Sequence, residues 1–375
     1  SEMCIRDRAY AIRALCYLNL ATWFSRAPYN SLTGASRWNE PCVPVYTTGT
    51  SIDTGGQPRE SLRTVYGRID QDIDRAIELL EKARETTLAE NNKSHINLYV
   101  ALGIKSRACL AEGDWDGAFK AAKRVIDEGG YAVGTKSDLT SGMNSLDKQN
   151  VMWGAGIQVA DQAGGYAGFF THMDNKEGAY AKSAPKLISK QLYNRISATD
   201  IRRDWWDPSD KESPYVSKKF SFANVASFLG DYIYMRVEEM YFTAAEAALR
   251  LDDLKSAREL MNTVMAERDP GYSANNRSGT LLGATTTTWT GSFLENILTH
   301  RRIELWGEYG RLFDVRRLGQ GIDRRTDDGF SEECISMMNR RNVNITKADT
   351  YDWVLTIPKA ELDANPNINE EDQNP

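Results

Sequence analysis

Histidine is scarce and cysteine is unpaired, with 3 and 5 copies respectively in 375 residues. Cys4, Cys16, Cys42, Cys109 and Cys334 form an odd, widely spaced set without a C-x-x-C pair, so neither a disulfide framework nor a structural zinc site is expected. His95, His172 and His300 stand apart from one another, and no metal or cofactor is assigned. No apolar run approaches the roughly 20 residues that a membrane-spanning helix needs. Lys and Arg are outnumbered by Asp and Glu, 46 to 52, and no basic block dominates any stretch, which excludes a nucleic-acid footprint. The clusters Arg301-Arg302, Arg316-Arg317 and Arg324-Arg325 are interleaved with acids and read as structural. Signatures of catalysis are missing as well. Gly154, Gly156, Gly164 and Gly165 do not satisfy G-x-G-x-x-G in a strand-turn-helix setting, and neither G-x-x-x-x-G-K-[ST] nor G-x-S-x-G occurs.

Alanine-rich segments of helical period are what the chain does have, at roughly 6–25, 60–86, 94–112, 115–129, 235–251, 253–268 and 291–318. Two junctions repeat each other. The run from Leu110 to Ala118, through Gly113-Asp114, lines up with that from Leu249 to Ala257, through Asp252-Asp253. Each is a helix, an acidic turn and a helix that opens on a small residue where two backbones approach, the grammar of a tetratricopeptide-like helix pair. A third pair is expected to join the helix ending near Phe24 to the one containing Ala76 to Leu80. The fold class is therefore all-α dominated, with helix pairs as scaffold over 6–26, 59–129, 235–268 and 291–319. Loop-rich segments 27–58, 130–234, 269–290 and 320–375 hang from it within a single domain, and loops of that length usually carry function.

The stretch from His300 to Gly319, HRRIELWGEYGRLFDVRRLG, concentrates charge. On one continuous helix Arg301, Glu304, Glu308 and Arg311 would follow at steps of three, four and three and form a ladder on one face. Each ladder carboxylate then has an arginine within reach, which lowers its pKa and disqualifies it as a general acid.

This stretch resembles the ER-x-x-EL-x-x-E-G-x-R-x-x-D-x-R-R pattern of the SusD-like (SusD/RagB) outer-membrane nutrient-binding lipoproteins. Arg301, Glu304, Leu305, Glu308, Arg311, Asp314, Arg316 and Arg317 match, whereas His300 replaces the usual Glu and Tyr309 the usual Gly. Arg236 to Glu239, followed by Ala245-Glu246-Ala247, resembles the family's R-x-x-E…AEA helix. The end of the chain, with Ile357-Pro358, Glu361-Leu362, Asn365-Pro366 and Gln373-Asn374-Pro375, is similar to the family's closing IP…EL…NP…QNP run. Ala9 to Pro28 is similar to its alanine-rich helix that ends in a turn and proline. On this resemblance a signal, a lipidated cysteine and further helices precede Ala9, so the chain reads as N-terminally truncated and Cys4 is not the lipidated residue.

The resemblance implies a tetratricopeptide-like half against a loop-rich ligand face, and a non-catalytic protein of the outer membrane surface. Such a protein is held by an N-terminal lipid and captures oligosaccharide or polysaccharide for a partner TonB-dependent (SusC-like) transporter. Sugar rings present an apolar C–H face, so a glycan platform needs flat aromatic side chains beside Asn, Asp and Arg. Trp38 with Asn39 fits that need, followed by Tyr46, Tyr166 and Trp289, whereas Trp115 and Trp306 read as packing residues and one of Trp205 and Trp206 as core. Arg236, Glu239, Glu246, Arg301, Glu304, Glu308, Arg311, Asp314 and Arg317 are expected to be structural. Three rival readings stay open: a SusD-like binder of peptide or another nutrient, an all-helical glycoside hydrolase, and a tetratricopeptide protein-binding adaptor. A hydrolase would place two unpaired carboxylates across a cleft.

Overall fold

Helix α1 (Glu2–Phe24) packs along α2 (Leu62–Thr86), α3 (Leu98–Glu112) along α4 (Trp115–Glu128), and α9 (Val237–Arg250) along α10 (Leu254–Ala266). The computed structural model describes all residues except 1, 48, 52, 87–91, 160–167, 323–349 and 351–352. The two expected helix pairs are present, as is the third. In α2 the buried positions Leu62, Val65, Tyr66, Ile69, Ile73, Ala76 and Leu79 recur every three or four residues, so the helix lays one apolar stripe on its neighbours. α3 is buried on nearly every face because it sits between α2 and α4.

The two repeated junctions fold alike. At the first, Gly113 takes a left-handed conformation, φ 77°, and the Asp114 carboxylate accepts from the Gly117 backbone N–H at 3.0 Å. At the second, Asp252 takes φ 62° and the Asp253 carboxylate accepts from the Ser256 N–H, also at 3.0 Å. Ala118 and Ala257, one residue further on, are fully buried where the paired helices meet. Although the α3–α4 and α9–α10 pairs are far apart in sequence, α9 packs directly on α4, so the pairs form one continuous helical layer.

Between them the chain runs through four helices of four or five residues, α5 (Lys136–Leu139), α6 (Phe169–Met173), α7 (Ala179–Ser183) and α8 (Lys190–Tyr193). Two small antiparallel ribbons interrupt this stretch. β1 (Val151–Ala155) pairs with β4 (Tyr232–Arg236), placing Trp153 opposite Met235 and Ala155 opposite Tyr232. β2 (Trp206–Asp207) pairs with β3 (Val216–Ser217). Trp205 and Trp206 are both buried, so both are core rather than one. Their adjacent side chains diverge: the Trp205 indole donates to the Leu139 carbonyl at 2.7 Å, and Trp206 meets Trp306 edge-on.

The charged stretch is not one helix. α11 (Phe293–Glu304) stops, Leu305 to Gly310 turn, and α12 (Arg311–Leu318) starts afresh. Gly307 at φ 75° and Gly310 at φ 114° adopt backbone conformations that break helical continuity. The ladder of Arg301, Glu304, Glu308 and Arg311 is therefore never assembled as a single face. The closing residues clamp onto α1: Asn374 Nδ2 donates to the carbonyls of Phe24 and Leu355, both at 2.9 Å, and Arg59 donates to Asn374 Oδ1 at 2.9 Å.

Candidate functional site

A buried charge network fixes the geometry around the junction of α9, α11 and α12. α9 has twelve buried residues, among them Glu238, Glu239 and Glu246, and each of these three carboxylates meets an arginine from another element. Glu304 accepts from Arg236 at 3.0 Å, from Arg268 at 3.0 Å and from Arg202 at 3.1 Å. Glu308 accepts two bonds from Arg236, both 2.8 Å, and one from Lys219 at 2.5 Å. Arg301 and Arg317 share Asp314, each at 2.9 Å, and Arg317 grips Glu246 through two bonds of 2.8 Å. Burial alone would raise the pKa of Glu304, but Arg268, Arg236 and Arg202 outweigh it and hold the carboxylate well below its ordinary 4.5. Against the same burial, Arg236 and Lys219 lower Glu308, and Arg301 and Arg317 lower Asp314.

The expected pKa lowering is thus present, but its source differs: Arg236, Arg268, Arg202 and Lys219 reach in from other elements. Arg311 is only half-buried and lines a small cavity beside Asp314. His300, where the family pattern has Glu, accepts at Nδ1 from Arg202 at 2.8 Å. Burial first and Arg202 second push it well below 6.5, so the ring is neutral.

This network holds the walls of a cleft of about 490 Å³. It is lined by the β1–β4 ribbon with Trp153, Tyr232 and Tyr234, by α1 with Leu15 and Asn19, and by Phe169 and Phe220. Gly307, Glu308 and Tyr309 line it from the α11–α12 turn. Trp153 and Tyr234 meet edge-on at 5.1 Å, and Phe169 meets Phe220 at 5.3 Å, so the aromatic rings brace one another. Arg107 lies over the Tyr309 ring, 3.9 Å from its centroid, and the Tyr309 hydroxyl bonds Asn19 Oδ1 at 3.2 Å. Tyr309 lines both this cleft and the adjoining cavity of about 180 Å³, so the residue that departs from the family pattern stands where the two voids meet.

Trp38, Tyr46 and Trp289, singled out from sequence, lie outside this lining and are not brought together. Trp38 is half-buried, edge-on to Tyr66 at 5.7 Å with Arg63 over its ring at 5.7 Å, and the neighbouring Asn39 is exposed. Tyr46 lines a separate trough of about 790 Å³ formed with Tyr17, Phe24 and Ile357; its backbone N–H donates to the Tyr17 hydroxyl at 2.8 Å. Trp289 carries Arg195 over its face at 4.5 Å. Tyr166 lies outside the described residues. Sequence reasoning passed over Trp153, Tyr232 and Tyr234. The alternation Tyr232-Ile233-Tyr234 was a usable strand signal, but nothing local reveals that it pairs with Trp153.

Among the described residues no group of three or more His, Cys, Asp or Glu side chains could hold a metal ion, and no helix is long and apolar enough to cross a membrane. Among the described residues Glu112 is the carboxylate raised most, pushed up to about 8 by burial first and then by Asp70 and Asp114; it is not part of the cleft lining. The carboxylate in the described cleft lining, Glu308, is therefore ionised and paired, an arrangement suited to holding shape and not to protonating a leaving group.

The fold is shared with solved structures. A SusD-like carbohydrate-binding protein from Bacteroides vulgatus aligns with 99% of this chain and 77% of its own, at 25% identity and a TM-score of 0.75. A SusD superfamily protein from Bacteroides thetaiotaomicron aligns with 100% of this chain and 78% of its own, at 24% identity and a TM-score of 0.76. Surface glycan-binding protein A from Bacteroides uniformis aligns with 98% of this chain and 77% of its own, at 17% identity and a TM-score of 0.63. No curated protein matches the chain. The SusD family model matches residues 173–375, which include Arg236, Glu304, Glu308 and Asp314 and more than half of the sequence, and the chain belongs to the SusD family.

Proposed function

We propose that this protein captures oligosaccharide or polysaccharide without hydrolysing it and presents it to a partner TonB-dependent transporter at the outer membrane surface, where an N-terminal lipid holds it. The observation that carries the reading is the aromatic cleft: Trp153, Tyr232, Tyr234, Phe169, Phe220 and Tyr309 line one void of about 490 Å³, a size suited to a sugar unit or two. Aromatic faces take the C–H faces of sugar rings, and weak contacts to hydroxyls permit the release that transport requires. Two of the similar solved structures are themselves described as carbohydrate-binding or glycan-binding proteins, which supports the same reading. Trp38 with Asn39, Tyr46 and Trp289 remain outlying candidate contacts for the rest of a longer chain, and Tyr166 stands with them as a sequence-based candidate.

A glycan array followed by calorimetry tests this. Trp153→Ala is expected to weaken the best array ligand by about 1–3 kcal/mol, the range for removing a central aromatic anchor. Trp38→Ala and Tyr46→Ala are expected to cost less than Trp153→Ala. Equal affinity in Trp153→Ala with loss in Trp38→Ala moves the site to the 27–58 loop. Release of new reducing ends from the ligand ends the non-catalytic reading.

A further inference from the structure

We propose that the cleft selects uncharged sugar units, because the charge on each ionised side chain in its lining is already balanced by an ion pair while its other polar groups are neutral. This rests on the glycan-capture reading and narrows it. Among the described residues the only charged groups lining the cleft are Arg107 and Glu308. Arg107 is buried and gives two bonds to Glu239, at 2.8 and 2.7 Å, and a third to the Tyr234 carbonyl at 3.0 Å, all from Nε and Nη2; Glu239 balances its charge, Tyr309 covers the face of its guanidinium, and Nη1 bonds no group among the described residues. Glu308 is saturated by Arg236 and Lys219. Neither can turn to a ligand without stranding a buried partner of opposite charge.

Beyond Arg107 Nη1, what remains for recognition is neutral. Trp153 carries an indole N–H, Tyr234 a phenol at a site 40% exposed, and Asn19 an amide NH₂ whose oxygen alone is used, by Tyr309. These three groups supply donors to hydroxyl and ring oxygens, spaced around an apolar wall, which matches a neutral pyranose or furanose. A uronate or a sulfated sugar would bring an anion into a largely apolar cleft whose described lining holds no cation without a carboxylate partner, and would lose more hydration than Arg107, already paired with Glu239, restores. A cationic aminosugar meets the mirror-image problem, since the lining carboxylate is taken.

The test is calorimetry of the wild-type chain at neutral pH and physiological salt against two sets of hexasaccharides. The neutral set is maltohexaose, cellohexaose, mannohexaose and xylohexaose; the acidic set is hexagalacturonate and hexaguluronate. The expected result is binding within the neutral set alone. Oxidising the primary hydroxyls of a bound hexose probe to carboxylates is expected to weaken it ten-fold or more, and methyl esterification of those carboxylates to restore it. Trp153→Ala, with Tyr234→Ala as a second variant at the more exposed position, is expected to remove the neutral binding. An acidic hexasaccharide that binds as tightly as any neutral one, and loses that binding in either variant, overturns the selectivity while leaving glycan capture standing. Silence of every probe, neutral and acidic, overturns the capture reading and the selectivity with it.

Discussion

Glu304 accepts hydrogen bonds from three arginines that come from three different parts of the chain, and this sets what single substitutions do. Removing Arg236 strips one partner from Glu304 and two bonds from Glu308, leaving buried charge uncompensated. Arg236→Ala is therefore expected to destabilise by about 3–5 kcal/mol, measured as a shift in the urea midpoint. Arg311, which the helical spacing had placed in the ladder, is half-buried and near enough to Asp314 to help lower its pKa, and solvent screens it more than the fully buried Arg236, so Arg311→Ala is expected to cost less than Arg236→Ala. Equal losses in the two variants would restore the ladder as the stabilising unit. His300 provides the pH signature. Its folded pKa lies below 6.5, so the unfolded chain binds the extra proton first and stability falls as pH drops through 6.5. The slope is at most about 1.4 kcal/mol per pH unit for one proton. Glu112, raised to about 8, works in the opposite direction, so the informative quantity is a difference. Wild type minus His300→Gln is expected to fall between pH 6.5 and the acid limit, because the Gln amide oxygen can still accept from Arg202 but does not titrate. Glu304, Glu308 and Asp314, with lowered folded values, contribute fully above the unfolded range and lose that contribution only as pH falls below 4.5.

At the scale of elements, the two helix junctions offer a matched experiment. Gly113 at φ 77° is unstrained and its missing Cβ is required, since a Cβ there would stand 2.7 Å from the Tyr29 ring. Asp252 holds the same conformation, φ 62°, with a side chain. Asp252→Gly is expected to be neutral to stabilising by up to about 1 kcal/mol, and Gly113→Ala clearly destabilising, read from melting temperatures. Asp253→Ala removes the cap on α10 and is expected to lose about 1 kcal/mol. The helix pairs were legible because caps, apolar period and small contact residues all act within one or two turns. The break between α11 and α12 was less so. Gly307 and Gly310 mark it, yet the charge spacing across them is compatible with an unbroken helix, and only the partners outside the segment favour the turn.

For the whole molecule, the network joins the loop-rich stretch to the helical layer. Lys219 donates to the carbonyls of Glu304 and Trp306, at 2.7 and 2.8 Å, and Ile201 donates its backbone N–H to Arg268 at 2.8 Å. Because these bonds require α11 and the end of α10 to be in place, the backbone amides of 201–205 and 218–219 are expected to exchange with solvent as slowly as those of α9. In Arg236→Ala the two loop stretches should exchange faster while α3 stays protected. Fast exchange of 201–205 in the wild type would mean that the loops open independently of the scaffold. The pairing of β1 with β4 belongs to this scale too: it brings Trp153 to Tyr234 across 81 positions and makes the cleft wall.

Sequence alone determined the helix pairs, their turns and the family, since each is written in short-range spacing or in a pattern of matched residues. It also limited the chemistry, because histidine, cysteine and catalytic signatures are sparse wherever they fall. Tertiary structure decided which arginine meets which carboxylate, and where the aromatic rings gather. Ion pairs in a buried network depend on the relative placement of α9, α11 and loops distant in sequence, and no local rule sets that placement. A cleft is likewise a relation between surfaces: Trp153, Asn19 and Tyr309 are ordinary residues until the folded chain sets them around one void.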